Sequence, residues 1–209
     1  MALLLTNAIF YHVPKTGGTW VRRVLAAAGI PHRELFCDLS ENIADPLYCF
    51  HASYHHTILP QDGRKRFAFL FVRHPLTYYQ SYWTFKMRMG WDMNNVFDRK
   101  FAWEDFQVFV HAVLSGCPGW VTKVFKEYAG PQDSPVADFI GKQETLRLDL
   151  LRVLKYAGED IDKNFLMHAP SENESSAISQ WQERCQYTPA LREAVCEAEC
   201  GAMSRFGYW

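Results

Sequence analysis

The sequence has no run approaching the ~18 apolar residues of a membrane-spanning helix. It has no Cys-x-x-Cys pair, no internal repeat, no low-complexity tract and no Pro/Gly/Ser linker. It has almost no net charge: 22 Lys and Arg stand against 23 Asp and Glu, a formal −1. Each absence excludes something. The first gives an expectation of no membrane span. The balance of charge gives no bulk attraction to nucleic acid or to an anionic membrane. The short basic run Gly63-Arg64-Lys65-Arg66 reads as a solvated turn. The six cysteines, at 37, 49, 117, 185, 196 and 200, lack zinc spacing even where Cys196 and Cys200 fall four apart. They read as reduced thiols, and no metal is expected. The apolar opening Met1 to Leu5 has neither a basic flank nor a small-residue cleavage site, and runs on into the first strand. The expectation is a cytoplasmic protein.

What is present is punctuation of the α/β kind. The 209 residues suit a single domain, 1–209, with a real core. An apolar run at 8–13 predicts a strand, residues 14–18 a turn, and 19–28 a helix closed by Gly29 and Pro31. A second apolar run, 47–50, ends at His51. A third, Phe67 to Val72, is continuous rather than alternating, which suits a central parallel strand covered on both faces. It ends at Arg73-His74-Pro75, where Pro75 is a favoured first helical residue. Residues 82–130 are dense in aromatics and read as helices with loops. A short strand at 136–140, closed by Gly141, precedes an amphipathic helix at 144–157, and a last helix is expected over 189–205. Strands alternating with helices predict an α/β fold with a central, mainly parallel sheet flanked by helices. Ligands of such sheets bind at the carboxyl ends of the strands. The Lys15 turn, His51 and Arg73 all fall there.

The segment Pro14-Lys15-Thr16-Gly17-Gly18-Thr19-Trp20 has the chemistry of an anion grip. Gly17 and Gly18 let backbone N–H groups approach without a Cβ in the way. The following helix adds its positive end, and Lys15 a point charge. Thr16 and Thr19 offer hydroxyls, and Trp20 a stacking surface. A Walker A loop carries its Lys after the glycines, before a Ser or Thr. Here Lys15 precedes them. Arg73, at the end of a buried strand, and Ser81, two turns into the next helix, supply a fork and a hydroxyl for a second phosphate.

Together the two segments resemble the sulfotransferases that use 3′-phosphoadenosine-5′-phosphosulfate (PAPS). Residues 14–20 look like that family's 5′-phosphosulfate loop. Arg73 and Ser81, with Pro75 between them, resemble its 3′-phosphate motif. Phe67 to Trp83 is similar to the corresponding segment of the bacterial and carbohydrate branch. Phe139-Ile140-Gly141-Lys142-Gln143-Glu144-Thr145-Leu146 resembles its strand–helix junction. A weaker likeness runs through Asn173, Ser175, Tyr187-Thr188 and Phe206-Gly207-Tyr208. The Arg-Lys-Gly-x-x-Gly loop of the steroid and phenol branch is absent.

The resemblance implies a P-loop NTPase-like sulfotransferase fold and transfer of a sulfuryl group from PAPS to a hydroxyl or amine. Lys15 would neutralise the leaving oxygen, and Thr16 to Thr19 would bind the 5′-phosphate. Arg73 and Ser81 would hold the 3′-phosphate, with Lys142 or the Asn173 region supplying its C-terminal contact. Trp20 would stack on adenine. The segment Phe50-His51-Ala52-Ser53 makes His51 the first choice of general base, with His55 and His56 as alternatives. The family needs no metal for the transfer. The acceptor implied is a small molecule or glycan, and the oligomeric state is not legible. Two other readings stay open, a P-loop-like nucleotide or sugar kinase and a nucleotide-binding module without catalysis. For the aromatics of 82–130, lining of an acceptor cleft stands beside plain helix packing.

Overall fold

A computed structural model describes residues 2–35, 66–170 and 179–209. His51, His55, the expected strand 47–50 and the Asn173 region lie outside them. The chain divides into two compact units. Among the described residues, one holds 2–35, 66–73 and 126–170, and the other holds 74–125 and 179–209.

The first unit is built on a sheet of five strands: β1 (Ala2–Leu5), β2 (Ala8–Tyr11), β3 (His32–Leu35), β4 (Phe67–Val72) and β5 (Phe139–Lys142). Their order is β3-β1-β2-β4-β5. β2, β4 and β5 run parallel, with Tyr11 beside Leu70 and Val72 beside Lys142. β1 runs antiparallel to both β2 and β3. The sheet is therefore mixed, and the expected mainly parallel character holds for its β2-β4-β5 side. The apolar opening is a strand of its own, folded back on β2 after Thr6-Asn7. Asn7 holds that corner: its N–H donates to Glu159 Oε1 at 2.5 Å and its carbonyl accepts from Phe67 N at 2.9 Å.

Helix α1 (Gly18–Ala27) follows β2. Trp20, Val21, Val24 and Leu25 recur at helical spacing and are buried. They meet Leu3, Leu5, Phe10, Phe69 and Phe71 of the sheet, together with Leu150, Val153 and Leu154 of a later helix. The alternate residues Ile9, Tyr11, Leu70 and Val72 are buried as well. β2 and β4 are thus covered on both faces, as unbroken apolar runs require. The strand expected at 136–140 is shifted to 139–142. Asp138 sits just before it, its carboxylate accepting from Ala68 N at 2.7 Å. Gly141 lies inside the strand because a Cβ there would stand 2.6 Å from the ring of Phe71.

The second unit is helical. It contains α2 (Pro75–Met89), α3 (Val96–Phe101), α4 (Phe106–Gly116) and the first part of α5 (Trp120–Ala129). In the first unit a 3-10 turn at Gln143–Thr145 leads into α6 (Leu146–Ala157), with α7 (Lys163–His168) after it. The second unit closes with α8 (Ser179–Arg184), α9 (Pro189–Ala198) and α10 (Cys200–Arg205). His74 caps α2, its Nδ1 accepting from Leu76 N at 3.2 Å. The aromatics of 82–130 are largely core. The Trp120 ring lies 5.0 Å from Tyr79 and from Tyr82 and 4.5 Å from Phe97, all fully buried. Each such pair contributes about 0.5–1.5 kcal/mol beyond its buried area. Packing therefore accounts for them, while Trp103 stays exposed.

The expected helix 189–205 is two helices, interrupted at Glu199. This carboxylate is buried and accepts four bonds: from Tyr79 Oη (2.9 Å), Val121 N (3.0 Å), Thr122 N (2.8 Å) and Thr122 Oγ1 (2.8 Å). Two of these donors are first-turn amides of α5, so a distant acid supplies that helix's cap. Burial pushes the Glu199 carboxyl above its ordinary pKa, against the pull of these donors. Asp98 is fully buried as well, paired with Lys86 and accepting from Tyr82 Oη and from Asp92 N at 2.8 Å.

Candidate functional site

The candidate site is built within the first unit, at the carboxyl ends of β2, β4 and β5. The chain turns as soon as β2 ends, with Val13 N donating to Tyr11 O at 3.0 Å. Thr16 is fully buried, and its hydroxyl donates to Val13 O at 2.9 Å. That proton belongs to the turn, so what Thr16 offers an anion is its backbone N–H. Lys15 has φ 64° and Gly17 φ 91°. Among the described residues Lys15 is the one non-glycine with a left-handed backbone. A turn of this kind directs N–H groups into a shared concavity. α1 begins immediately after it, with no side-chain cap and no acid in its first turn. Its positive end lacks the internal partner that most helices provide.

The glycines have a packing reason of their own. A Cβ on Gly17 would lie 2.5 Å from Leu146 Cδ2, besides needing the left-handed backbone. A Cβ on Gly18 would overlap Cδ2 and Nε2 of His12. Both positions are pressed by the protein itself, from α6 and from the end of β2.

Arg73, half-buried, follows β4 directly. Its Nη1 donates to the Lys15 carbonyl at 3.1 Å. Lys142 ends β5, in register with Val72. Its N–H donates to Asp149 Oδ2 at 2.9 Å. Asp149 also accepts from Thr145 Oγ1 at 2.6 Å and pairs with Arg152 at 3.1 Å. Lys15, Arg73 and Lys142 therefore follow or end three adjacent parallel strands, spaced about 5 Å from one to the next. After β2 the chain passes to β3, on the β1 side. β5, the next strand after β4, lies on the other side. The two connections leave in opposite directions, which makes the β2/β4 junction the switch point where open α/β sheets bind ligands.

The other expected residues are placed less simply. Thr19 is half-buried on the first turn of α1. Trp20 belongs to the core, 5% exposed, with its indole N–H donating to Pro170 O at 2.9 Å. The guanidinium of Arg147 lies 5.0 Å from its ring centroid. So little open surface suits an anchor better than a stacking platform for a base. Ser81 lies in the second unit, on the buried side of α2. His51 and His55 lie outside the described residues.

Sequence reasoning missed Arg147 and Asp149. Arg147 donates from Nη1 to the carbonyls of Leu166 and Met167, each at 3.1 Å. It closes the end of α7 while covering Trp20. Neither residue belongs to a motif, and only the fold brings them to the turn's supports.

Comparison of the chain with family models, curated proteins and solved structures gives no match. Among the described residues no group of three or more His, Cys, Asp or Glu is arranged to hold a metal ion. No single helix among them is long and apolar enough to cross a membrane. The four cysteines within them form no disulfide.

Proposed function

We propose that this chain is a PAPS-dependent sulfotransferase on a P-loop-like α/β scaffold, moving a sulfuryl group to the hydroxyl or amine of a small molecule or glycan. The observation that carries the reading is the Lys15 turn. A cation stands there in a backbone conformation that costs a non-glycine residue about 1–2 kcal/mol. Strain of that kind persists where function needs the side chain. Arg73 is bonded to the same turn, and Lys142 ends the neighbouring strand.

Three cations at the carboxyl end of one sheet suit a ligand with several anionic groups. In this reading the N–H groups of residues 16–19 take the 5′-phosphate, and Arg73 takes the 3′-phosphate with Lys142 beside it. The part of Ser81 rests on its sequence spacing from Arg73. The S–O bond to the nucleotide breaks as a bond from sulfur to the acceptor atom forms. The departing phosphate oxygen keeps the electron pair, and Lys15 offsets its growing charge. The acceptor proton passes to a base, His51 first and His55 second, on sequence grounds.

Calorimetry with 3′-phosphoadenosine 5′-phosphate and with ADP tests the reading. Tighter binding of the 3′,5′-bisphosphate, without Mg²⁺, is expected. Tighter, Mg²⁺-dependent binding of ADP would replace the reading with a kinase. Labelled PAPS with a panel of sugars, phenols and alcohols, read by mass spectrometry, would then identify the acceptor. Nucleotide binding without any transfer would leave a binding module.

A further inference from the structure

A second glycine in such a turn has a general ligand reason: without a Cβ, a phosphate can come close. In this fold the missing Cβ points elsewhere. The space it would fill is held by the imidazole of His12. His12 is buried, 6% exposed, two residues beyond Phe10 on the same strand line. Its ring stacks on Phe10 with centroids 5.9 Å apart and planes 18° apart. Phe10 is itself locked, 5.2 Å from the Phe69 ring and 5.9 Å from Phe71. A rigid stack therefore runs from the sheet through Phe10 to His12 and ends against Gly18, the first residue of α1.

We propose that His12 is a positioning residue of the anion site. Its imidazole is the floor on which the N-terminus of α1 rests. It fixes the direction in which the first amides of that helix face the 5′-phosphate, and position 18 is glycine because His12 lies beneath it. The inference rests on the nucleotide reading for the identity of the anion. The contact between His12 and Gly18 is independent of that reading.

The geometry makes the two residues interdependent. A methyl group on residue 18 must displace the helix start or the imidazole. The imidazole has little freedom, since a stacked aromatic column holds it. The helix start moves instead, and its amides lose their aim at the anion. Removing the imidazole vacates room for the methyl group. Pairs in such contact couple strongly in double-mutant cycles, where independent sites add.

The test combines Gly18→Ala, His12→Ala and the double variant, with binding of 3′-phosphoadenosine 5′-phosphate and the PAPS kinetics measured for each. Gly18→Ala in the wild-type background should weaken binding by about thirtyfold or more, and in the His12→Ala background by less than about threefold. His12→Ala alone should raise the KM for PAPS about tenfold and leave kcat within about twofold. That split marks lost positioning of the bound nucleotide rather than lost chemistry or a lost fold. An equal penalty for Gly18→Ala in both backgrounds would overturn the proposal, because the glycine would then serve the ligand directly. An unchanged KM in His12→Ala would overturn it too. Should Gly18→Ala fail to fold, recovery of folding in the double variant supports the contact, and continued failure counts against it. Should the wild type bind no 3′-phosphoadenosine 5′-phosphate, the nucleotide reading falls. The same cycle run on thermal unfolding then decides the contact, and additive shifts in Tm would reject it.

Discussion

Arg73 holds the backbone of Lys15: its Nη1 donates to the Lys15 carbonyl at 3.1 Å. The bond ties the end of β4 to the turn after β2. One cation therefore supports the strained backbone that carries another. Replacing Arg73 touches both.

Arg73→Lys keeps a charge but loses the planar fork. It should weaken 3′-phosphoadenosine 5′-phosphate binding by about tenfold, and Arg73→Ala by more. Calorimetry on the two variants decides. Wild-type affinity in Arg73→Ala would remove this residue from the site.

Lys15→Gly separates stability from activity. It relieves about 1–2 kcal/mol of left-handed strain and returns about 0.5–1 kcal/mol of chain entropy to the unfolded state. The variant should be equally stable or up to about 1.5 kcal/mol more stable in urea unfolding. Single-turnover sulfuryl transfer should fall by about 10²-fold or more. Transfer at the wild-type rate would mean that the Lys15 charge plays no part.

Gly17→Ala suffers twice, from φ 91° and from a Cβ 2.5 Å from Leu146 Cδ2. Together these should destabilise the chain by about 2 kcal/mol or more. In a Leu146→Ala background only the backbone part, about 1 kcal/mol, should remain. Urea unfolding of the four proteins measures it. An undiminished penalty would show that Leu146 is not the obstacle.

Glu199→Gln keeps the shape of a buried acceptor but presents an amide NH₂ to donors. A loss of about 2–3 kcal/mol is expected. Burial raises the native carboxyl pKa, so between its ordinary value of 4.5 and the raised one the folded state binds more protons than the unfolded. The contribution of Glu199 is then complete below the ordinary value and declines as pH rises through the raised one. The stability gap between wild type and Glu199→Gln should narrow from acid toward neutral pH. A gap that widened would contradict the direction of the shift.

His51→Ala should lower kcat by about 10²–10⁴ with the nucleotide affinity unchanged, as expected for a general base. The motive is its place after the apolar run 47–50, in Phe50-His51-Ala52-Ser53. If His51→Ala is active and His55→Ala is not, the second histidine takes the role.

What was legible in the sequence was local. The turn between β2 and α1, the buried β4 and the start of α2 at Pro75 were all marked by unbroken apolar runs and by Gly and Pro. What escaped was set by distant partners. β1 looked like the lead-in to β2 because three leucines do not show where a chain doubles back; Asn7 and Glu159 make the corner. The helix 189–205 is broken because Glu199 is drawn to α5 and Tyr79, about 80 and 120 residues away in sequence. As sequence, the glycines of the turn read as room for a ligand. That His12 and Leu146 occupy the other side of them needed the fold. The three cations were each visible, but their alignment depends on the β2-β4-β5 order, which spacing does not encode.

That order has a dynamic consequence. β2 is flanked by β1 on one side and β4 on the other, so neither of its hydrogen-bonding edges is open. A strand in this position exchanges its amides only through large openings, while loops exchange through small ones. The turn from Pro14 to Gly17 hangs from it. Opening of that turn would leave in place the strand from which Lys15 is presented.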